Sequence, residues 1–426
     1  MDQGLKSSYA LSQIMQVLYI VFFISLAFAF NYFSSLSIGL ILLVGIIKNK
    51  IEHKPFFSGN TKNFFLIACV LSYLLQGSSL LYTQHKDETW IHLRIKTALV
   101  FVPLALCSPN YLTEITRKKL IHLFSIILFA ASFYCLAVNS LEYFEYHDSS
   151  VFFFHTLVNP LHQHAVYFSI YTFIILLYLI ETIGKKEFIL NKSLHIFLIF
   201  YFSIFLFLLS SKLVISFYLL YLLYHAITLL ADKKKRQIAI SVVFVGLLAI
   251  ILLLTTRNPV SNRFKEILNT DMNLVKQEKF DPGIYFNDVQ FRMVEWKLVK
   301  EILNENNCWW TGISPGDGQD FLDKKYIEKN MYVGEPSRGD KGYLRYNTHN
   351  QLLESLLQSG IAGVLFFLLI LFALIRMAWL KRNRLLSFTI ILLIAFSFIE
   401  SAFETQYAIM LFTFFPLFLS LDGKQQ

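Results

Sequence analysis

Eight side chains in this sequence are of types that move protons or hold anions, and most of them stand at the ends of apolar runs. His349 follows Asn347-Thr348 and is followed by Asn350-Gln351, where a long hydrophobic stretch begins. A histidine ordinarily titrates near about 6.5, so it can take a proton from a hydroxyl at neutral pH, with Asn350 as a polar neighbour. The plainer reading of His349 is an amphipathic residue at a membrane interface. Lys212 sits in Leu208-Leu209-Ser210-Ser211-Lys212-Leu213-Val214, almost without a polar loop to solvate it. A charge there either snorkels to lipid headgroups or serves an anion. Arg292 has the planar fork that suits phosphate, although Glu295 three residues on is a ready surface partner. His162 and His164 would make at most a metal half-site, with no Cys or carboxylate cluster to complete it, so no metal is expected. Glu400 and Glu404, four residues apart, are spaced to share a helical face as an acid/base couple, or else cap a turn.

What must position these groups is an apolar scaffold. Of 426 residues 55% are hydrophobic and only 16% charged, and apolar runs of about 18 to 25 residues recur, each long enough to cross a bilayer as a helix. The chain reads as an all-α polytopic membrane protein. Continuous Phe, Leu and Ile runs exclude the alternating strands of an outer-membrane barrel. About twelve spans are expected, near 9–30, 34–47, 63–82, 94–107, 119–139, 161–183, 193–210, 213–231, 237–255, 351–379, 385–399 and 405–421. The first reads as a helix rather than a cleaved signal, despite Ala27-Phe28-Ala29. The organisation is then helices one to nine in residues 1–256, a large polar loop in 257–350, and the last three helices in 351–426.

The net charge of +9 lies between the apolar runs rather than on one soluble surface, so nucleic acid is not a partner and the cations mark topology. Lys48, Lys50, Lys54 and Lys62, then Arg117, Lys118 and Lys119, then Lys185, Lys186 and Lys192, then 233–236, then Lys381, Arg382 and Arg384 fall on one side. The loop from Ser140 to Pro160 carries Glu142, Glu145 and Asp148 with no Lys or Arg. That asymmetry puts both termini in the cytoplasm and the polar loop outside. The four cysteines offer no disulfide framework. Within the loop, Val289 to Asn304 has apolar residues at helical spacing (Val289, Met293, Trp296, Val299, Ile302, Leu303), which predicts an amphipathic helix against the membrane or the bundle. Thr311 to Gly318 predicts a tight loop, and the run after His349 is expected to stay helical through Gly360 and Gly363.

Thr348-His349-Asn350-Gln351-Leu352-Leu353 followed by Ser359-Gly360-Ile361-Ala362-Gly363 resembles the His-Asn-x-x-Leu…Gly-x-x-Gly signature of the O-antigen ligase/polymerase superfamily. Phe291-Arg292-Met293-Val294-Glu295-Trp296 is similar to that family's arginine-bearing helix. Gly312 to Asp317 resembles its glycine-rich turn, and Ser401 to Gln406 a late motif of some branches. The resemblance implies a GT-C-like, metal-independent, inverting glycosyltransferase of the bacterial inner membrane that needs no cofactor. Its donor would be a glycan on undecaprenyl diphosphate and its acceptor a lipid A core or a second glycan, at the periplasmic face among membrane lipids. Carried over, His349 is the catalytic base and Arg292 a diphosphate ligand. Lys212 stands where many relatives have arginine, and His162, His164, Asn350, Glu400 and Glu404 are supporting candidates.

A ligase and a repeat-unit polymerase share this donor, and nothing in the sequence separates them. The rival from another class is a polysaccharide transporter or flippase, which would carry ionisable residues inside its spans and matched broken helices. The spans here read as nearly free of buried charge.

Overall fold

The computed structural model describes residues 2–57, 61–107, 112–185, 189, 191–230, 236–237, 240, 261, 265, 271–335, 337 and 339–421. The first half of the chain supplies α1 (Asp2–Ala27), α2 (Asn31–Ile51), α3 (Thr61–Ser78), α4 (Lys86–Lys96), α5 (Ala98–Cys107) and α6 (Glu114–Tyr146). A short α7 (Phe154–Val158), α8 (Ala165–Lys185), α9 (Lys192–Leu208) and α10 (Lys212–Leu230) follow. The polar segment holds α11 (Asp288–Glu305) and α12 (Gly318–Glu328), and the chain closes with α13 (Gln351–Lys381), α14 (Arg384–Ser397) and α15 (Gln406–Leu419).

Among the described residues eight helical stretches are long and apolar enough to cross a membrane, and three shorter apolar helices, α9, α14 and α15, accompany them. Of the expected span at 237–255 only residues 237 and 240 are among the described residues. The expected short span at 94–107 begins earlier, because α4 runs into α5 at Thr97 and the two form one stretch, Lys86–Cys107. The helix expected at 119–139 is longer too, reaching from Glu114 to Tyr146.

The bundle is built around α8 and α15. Of α8's apolar window 89% is buried, and every residue of α15 from Ala408 to Leu419 is buried. Lipid tails are as apolar as leucine, so helices in a bilayer associate by close packing rather than by exclusion from water. Rings supply much of that packing: Phe22 lies 4.3 Å from Phe414, and Phe23 stacks on Phe124 at 4.6 Å. The outer face is apolar as well. Leu365, Leu368, Phe372, Ile375 and Trp379 form an exposed stripe along α13 at helical spacing, the pattern of a lipid-facing surface.

The polar segment has a small core of its own, with Val294, Leu298, Val299 and Ile302 of α11 packed on Leu322 and Tyr326 of α12 and on Leu357 of α13. The helix expected at 289–304 is present, and of its expected apolar face Val299, Ile302 and Leu303 are buried, alongside Phe291, Val294, Glu295 and Leu298. Trp296, expected on the apolar face, is 45% exposed.

The expectation of an unbroken helix through Gly360 is overturned. Gly360 has φ 63 and ψ −159, a conformation essentially confined to glycine, so α13 breaks there. The loop expected at Thr311 to Gly318 lies across the break: Ile361 N donates to Trp309 O at 2.8 Å and Ile313 N to Leu357 O at 2.7 Å. A Cβ on Gly360 would stand 2.4 Å from the Trp310 carbonyl, and one on Gly312 would stand 2.4 Å from Ser359 N. The two glycines let loop and broken helix share backbone hydrogen bonds.

Candidate active site

One mouth of the bundle gathers residues from five helix ends. His164 immediately precedes α8, Lys212 opens α10, Arg292 sits in the second turn of α11, His349 precedes α13 and Glu400 follows α14. All five line a single cavity of about 700 Å³.

His349 is held by its neighbours. It adopts φ 43, a strained region for most non-glycine residues. Its N–H donates to Asn347 Oδ1 at 3.0 Å, and Asn350 Oδ1 caps α13 by accepting from Leu352 N and Leu353 N at 2.9 and 3.2 Å. Asn350 Nδ2 also donates to Phe398 O at 3.1 Å, tying the start of α13 to the end of α14. Asn350 is therefore a cap and a brace and does not line the cavity. The His349 ring faces Glu400, with Nδ1 3.4 Å from Oε2. Burial opposes ionisation of Glu400, but the His349 contact and the positive potential of His164 and Arg292 outweigh it and hold the carboxyl below its ordinary value.

The two expected cations stand close together. Lys212 Nζ pairs with Asp288 Oδ2 at 3.0 Å, and Arg292 Nη1 donates to the Asp288 carbonyl at 3.0 Å. Asp288 opens α11, which a capping box fixes: Asn287 Oδ1 accepts from Gln290 N at 2.9 Å and Gln290 Oε1 from Asn287 N at 3.0 Å. Arg292 Nε is buried and has no hydrogen-bond partner among the described residues. Glu295, the surface partner considered for Arg292, is fully buried and makes no ion pair with it among the described residues. Burial pushes the Glu295 carboxyl well above the usual carboxylate range, against the pull of Arg292.

The remaining sequence candidates part company. His164 lines the cavity, its ring 4.4 Å from that of His155. His162 is exposed in a left-handed turn (φ 52) and does not line it. Glu400 and Glu404 do not act as a couple on one face, because the chain turns through a short 3-10 segment at Ala402–Glu404 between α14 and α15. Glu404 instead pairs with Lys96 Nζ at 2.8 Å and His92 Nδ1 at 3.0 Å. Burial opposes its charge, but Lys96 and His92 keep its carboxyl well below the ordinary range. The helices are thus not free of buried charge: Lys96 is fully buried and also donates to Gln358 Oε1 at 2.7 Å.

Several participants carry no recognisable sequence signal. Glu354 Oε2 accepts from Thr348 N at 3.2 Å, Thr348 Oγ1 at 2.8 Å and Ser401 Oγ at 3.3 Å, and Glu354 Oε1 accepts from Gln358 Nε2 at 2.6 Å. Tyr285, Phe286, Tyr343 and Tyr346 form an aromatic wall, with Tyr346 5.7 Å from the His349 ring and Tyr343 stacked on Phe291 at 4.8 Å. The density of tyrosines in an otherwise polar segment is the one signal that could have found this wall. A second latch fixes the polar segment to the bundle. Asp317 accepts from Thr83 Oγ1 at 2.9 Å, Gln84 N at 3.1 Å, His85 N at 3.0 Å and Ser314 Oγ at 2.7 Å.

The cavity sets two cations beside an imidazole–carboxylate pair, at one mouth of a bundle whose helices are those of a multi-pass membrane protein. Residues 197–368 match the family model described as O-antigen ligase, so this stretch of the chain is similar to that family. The matched stretch holds Lys212, Arg292 and His349; His164 and Glu400 come to the cavity from outside it. No curated protein matches the sequence.

Proposed function

We propose that this protein transfers a glycan from undecaprenyl diphosphate to an acceptor hydroxyl, at the periplasmic face of a bacterial inner membrane, with both termini cytoplasmic and residues 257–350 forming the periplasmic loop. The observation that carries the reading is the shared cavity of Lys212, Arg292, His349 and Glu400.

In the reaction, His349 takes the proton of the acceptor hydroxyl while its oxygen attacks the anomeric carbon. The bond from that carbon to the diphosphate oxygen breaks, and the electron pair leaves with the diphosphate. Arg292 and Lys212 neutralise the charge that accumulates there, Lys212 by exchanging Asp288 for phosphate. Glu400 orients the imidazole and stabilises its protonated form. Attack opposite the leaving group inverts the anomeric centre. The aromatic wall offers flat faces against which sugar C–H groups pack.

The test is transfer by purified protein from a lipid-diphosphate donor in the presence of a chelator, with wild type compared to His349→Ala. A lipid A core and a second lipid-linked repeat are supplied in turn. Wild-type transfer that His349→Ala abolishes supports the base assignment, and the productive acceptor separates ligase from polymerase. Full activity in His349→Ala would sink the mechanism. No transfer to either acceptor would favour the transporter reading.

A further inference from the structure

The helices that form the site have a second convergence at their other ends. α8, α10, α13 and α14 present one end to the His349 cavity, and their opposite ends, with the start of α6, surround a separate cavity of about 640 Å³. α13, 31 residues long with its break at Gly360, runs from one mouth to the other.

The walls of this recess are cationic. α13 ends at Lys381, Arg382 takes a left-handed conformation (φ 46), and α14 restarts at Arg384, so a tight turn delivers three cations within four residues. From α6 come Arg117, which donates to the Leu421 carbonyl, and Lys118, which pairs with Glu114 Oε1 at 2.9 Å. Five cations therefore line the recess against two carboxylates, Glu114 and Glu181. Glu181 also accepts from Tyr221 Oη at 3.1 Å. The floor is apolar, formed by Ile121, Leu385 and Leu419. Cations that only record membrane orientation need no recess and can spread around the bundle's perimeter. Here three helix ends aim them at one concave space, the arrangement by which basic pockets between helices take phosphate groups.

We propose that this recess binds a phosphate-bearing anion, either the head of an anionic phospholipid or free phosphate, at a site distinct from the glycan-transfer cavity and independent of the function assigned to it. The experiment follows thermal unfolding of the full-length protein in a neutral detergent, titrated separately with phosphatidylglycerol, phosphatidylcholine and inorganic phosphate. Wild type is compared with Lys381→Gln/Arg384→Gln and with the charge-preserving Lys381→Arg/Arg384→Lys. Phosphatidylglycerol is expected to raise the midpoint where phosphatidylcholine does not. The charge-removing pair should weaken that response roughly tenfold, and the charge-preserving pair should restore it. If inorganic phosphate alone reproduces the effect with the same dependence on the variants, the site holds a soluble anion. The proposal is overturned if phosphatidylcholine stabilises as well as phosphatidylglycerol and phosphate does nothing, or if the charge-removing pair responds as wild type. Should the double variant fail to elute as a single species, Lys381→Gln alone carries the same comparison.

Discussion

The hydroxyls of Thr348 and Ser401 lie 3.2 Å apart and both donate to one oxygen of Glu354. Thr348 precedes His349 and Ser401 follows Glu400, so a single buried carboxylate fixes the two chain segments that carry the imidazole and its partner. Glu354→Gln puts an amide at this point and offers a donor where two hydroxyls already donate. Turnover is expected to fall about ten- to hundredfold, as for a reacting group displaced by a fraction of an ångström, with donor affinity nearly unchanged. A matched loss of donor binding would instead mean that Glu354 supports the whole mouth.

Arg292 and Lys212 should separate in kinetics. Arg292→Ala removes the unpartnered donor and is expected to lower kcat/KM by about a hundredfold or more. Lys212→Arg retains the charge and can keep the Asp288 pair, so it should preserve most activity, whereas Lys212→Ala should not. Steady-state transfer assays across a donor titration give both parameters.

Glu404 and Glu400 make opposite predictions. Glu404→Leu leaves the buried Lys96 ammonium without its carboxylate and should destabilise the protein by about 3 to 5 kcal/mol. Adding Lys96→Met should recover much of that loss. Glu400→Gln is expected to lower turnover with little change in unfolding temperature. Parallel measurements of melting and transfer on the three variants distinguish the structural pair from the reacting one.

The latch at Asp317 sets a pH dependence. Burial opposes its charge, but donors from Ser314, Gln84, Thr83 and His85 hold the carboxyl below its ordinary value of 3.8. A carboxylate with a depressed folded pKa contributes stability that is fully present above 3.8 and is lost as pH falls through the lower, folded value. Wild type should therefore lose melting temperature more steeply below that pH than Asp317→Asn, which at neutral pH should be about 2 kcal/mol less stable.

Two glycines test the broken helix. Gly360→Ala forces a Cβ onto the Trp310 carbonyl at a positive φ and is expected to cost about 3 kcal/mol or more. Gly39→Ala meets nothing within 4 Å inside α2 and should be neutral or slightly stabilising. Thermal unfolding of the two variants is a direct comparison.

By itself the sequence determined that this is a helical membrane protein with one polar segment, because spans of about 20 apolar residues have no other stable form in a bilayer. It also singled out His349, Lys212 and His164, each a costly polar group at the edge of an apolar run, and Arg292 within the polar segment. The tertiary structure decided which of them meet. Glu400 and Glu404 look equivalent four residues apart, yet a short 3-10 turn sends one to His349 and the other to Lys96. Glu354 and Lys96 read as ordinary ends of apolar helices until packing brings them to Thr348, Ser401 and Gln358. Gly360 reads as a helical glycine until the Trp309–Ile313 loop takes over its neighbours' hydrogen bonds. Burial cost is a property of one residue and its flanks, so it is written locally. Pairing is a property of helix ends that only a folded bundle brings within about 3 Å of each other.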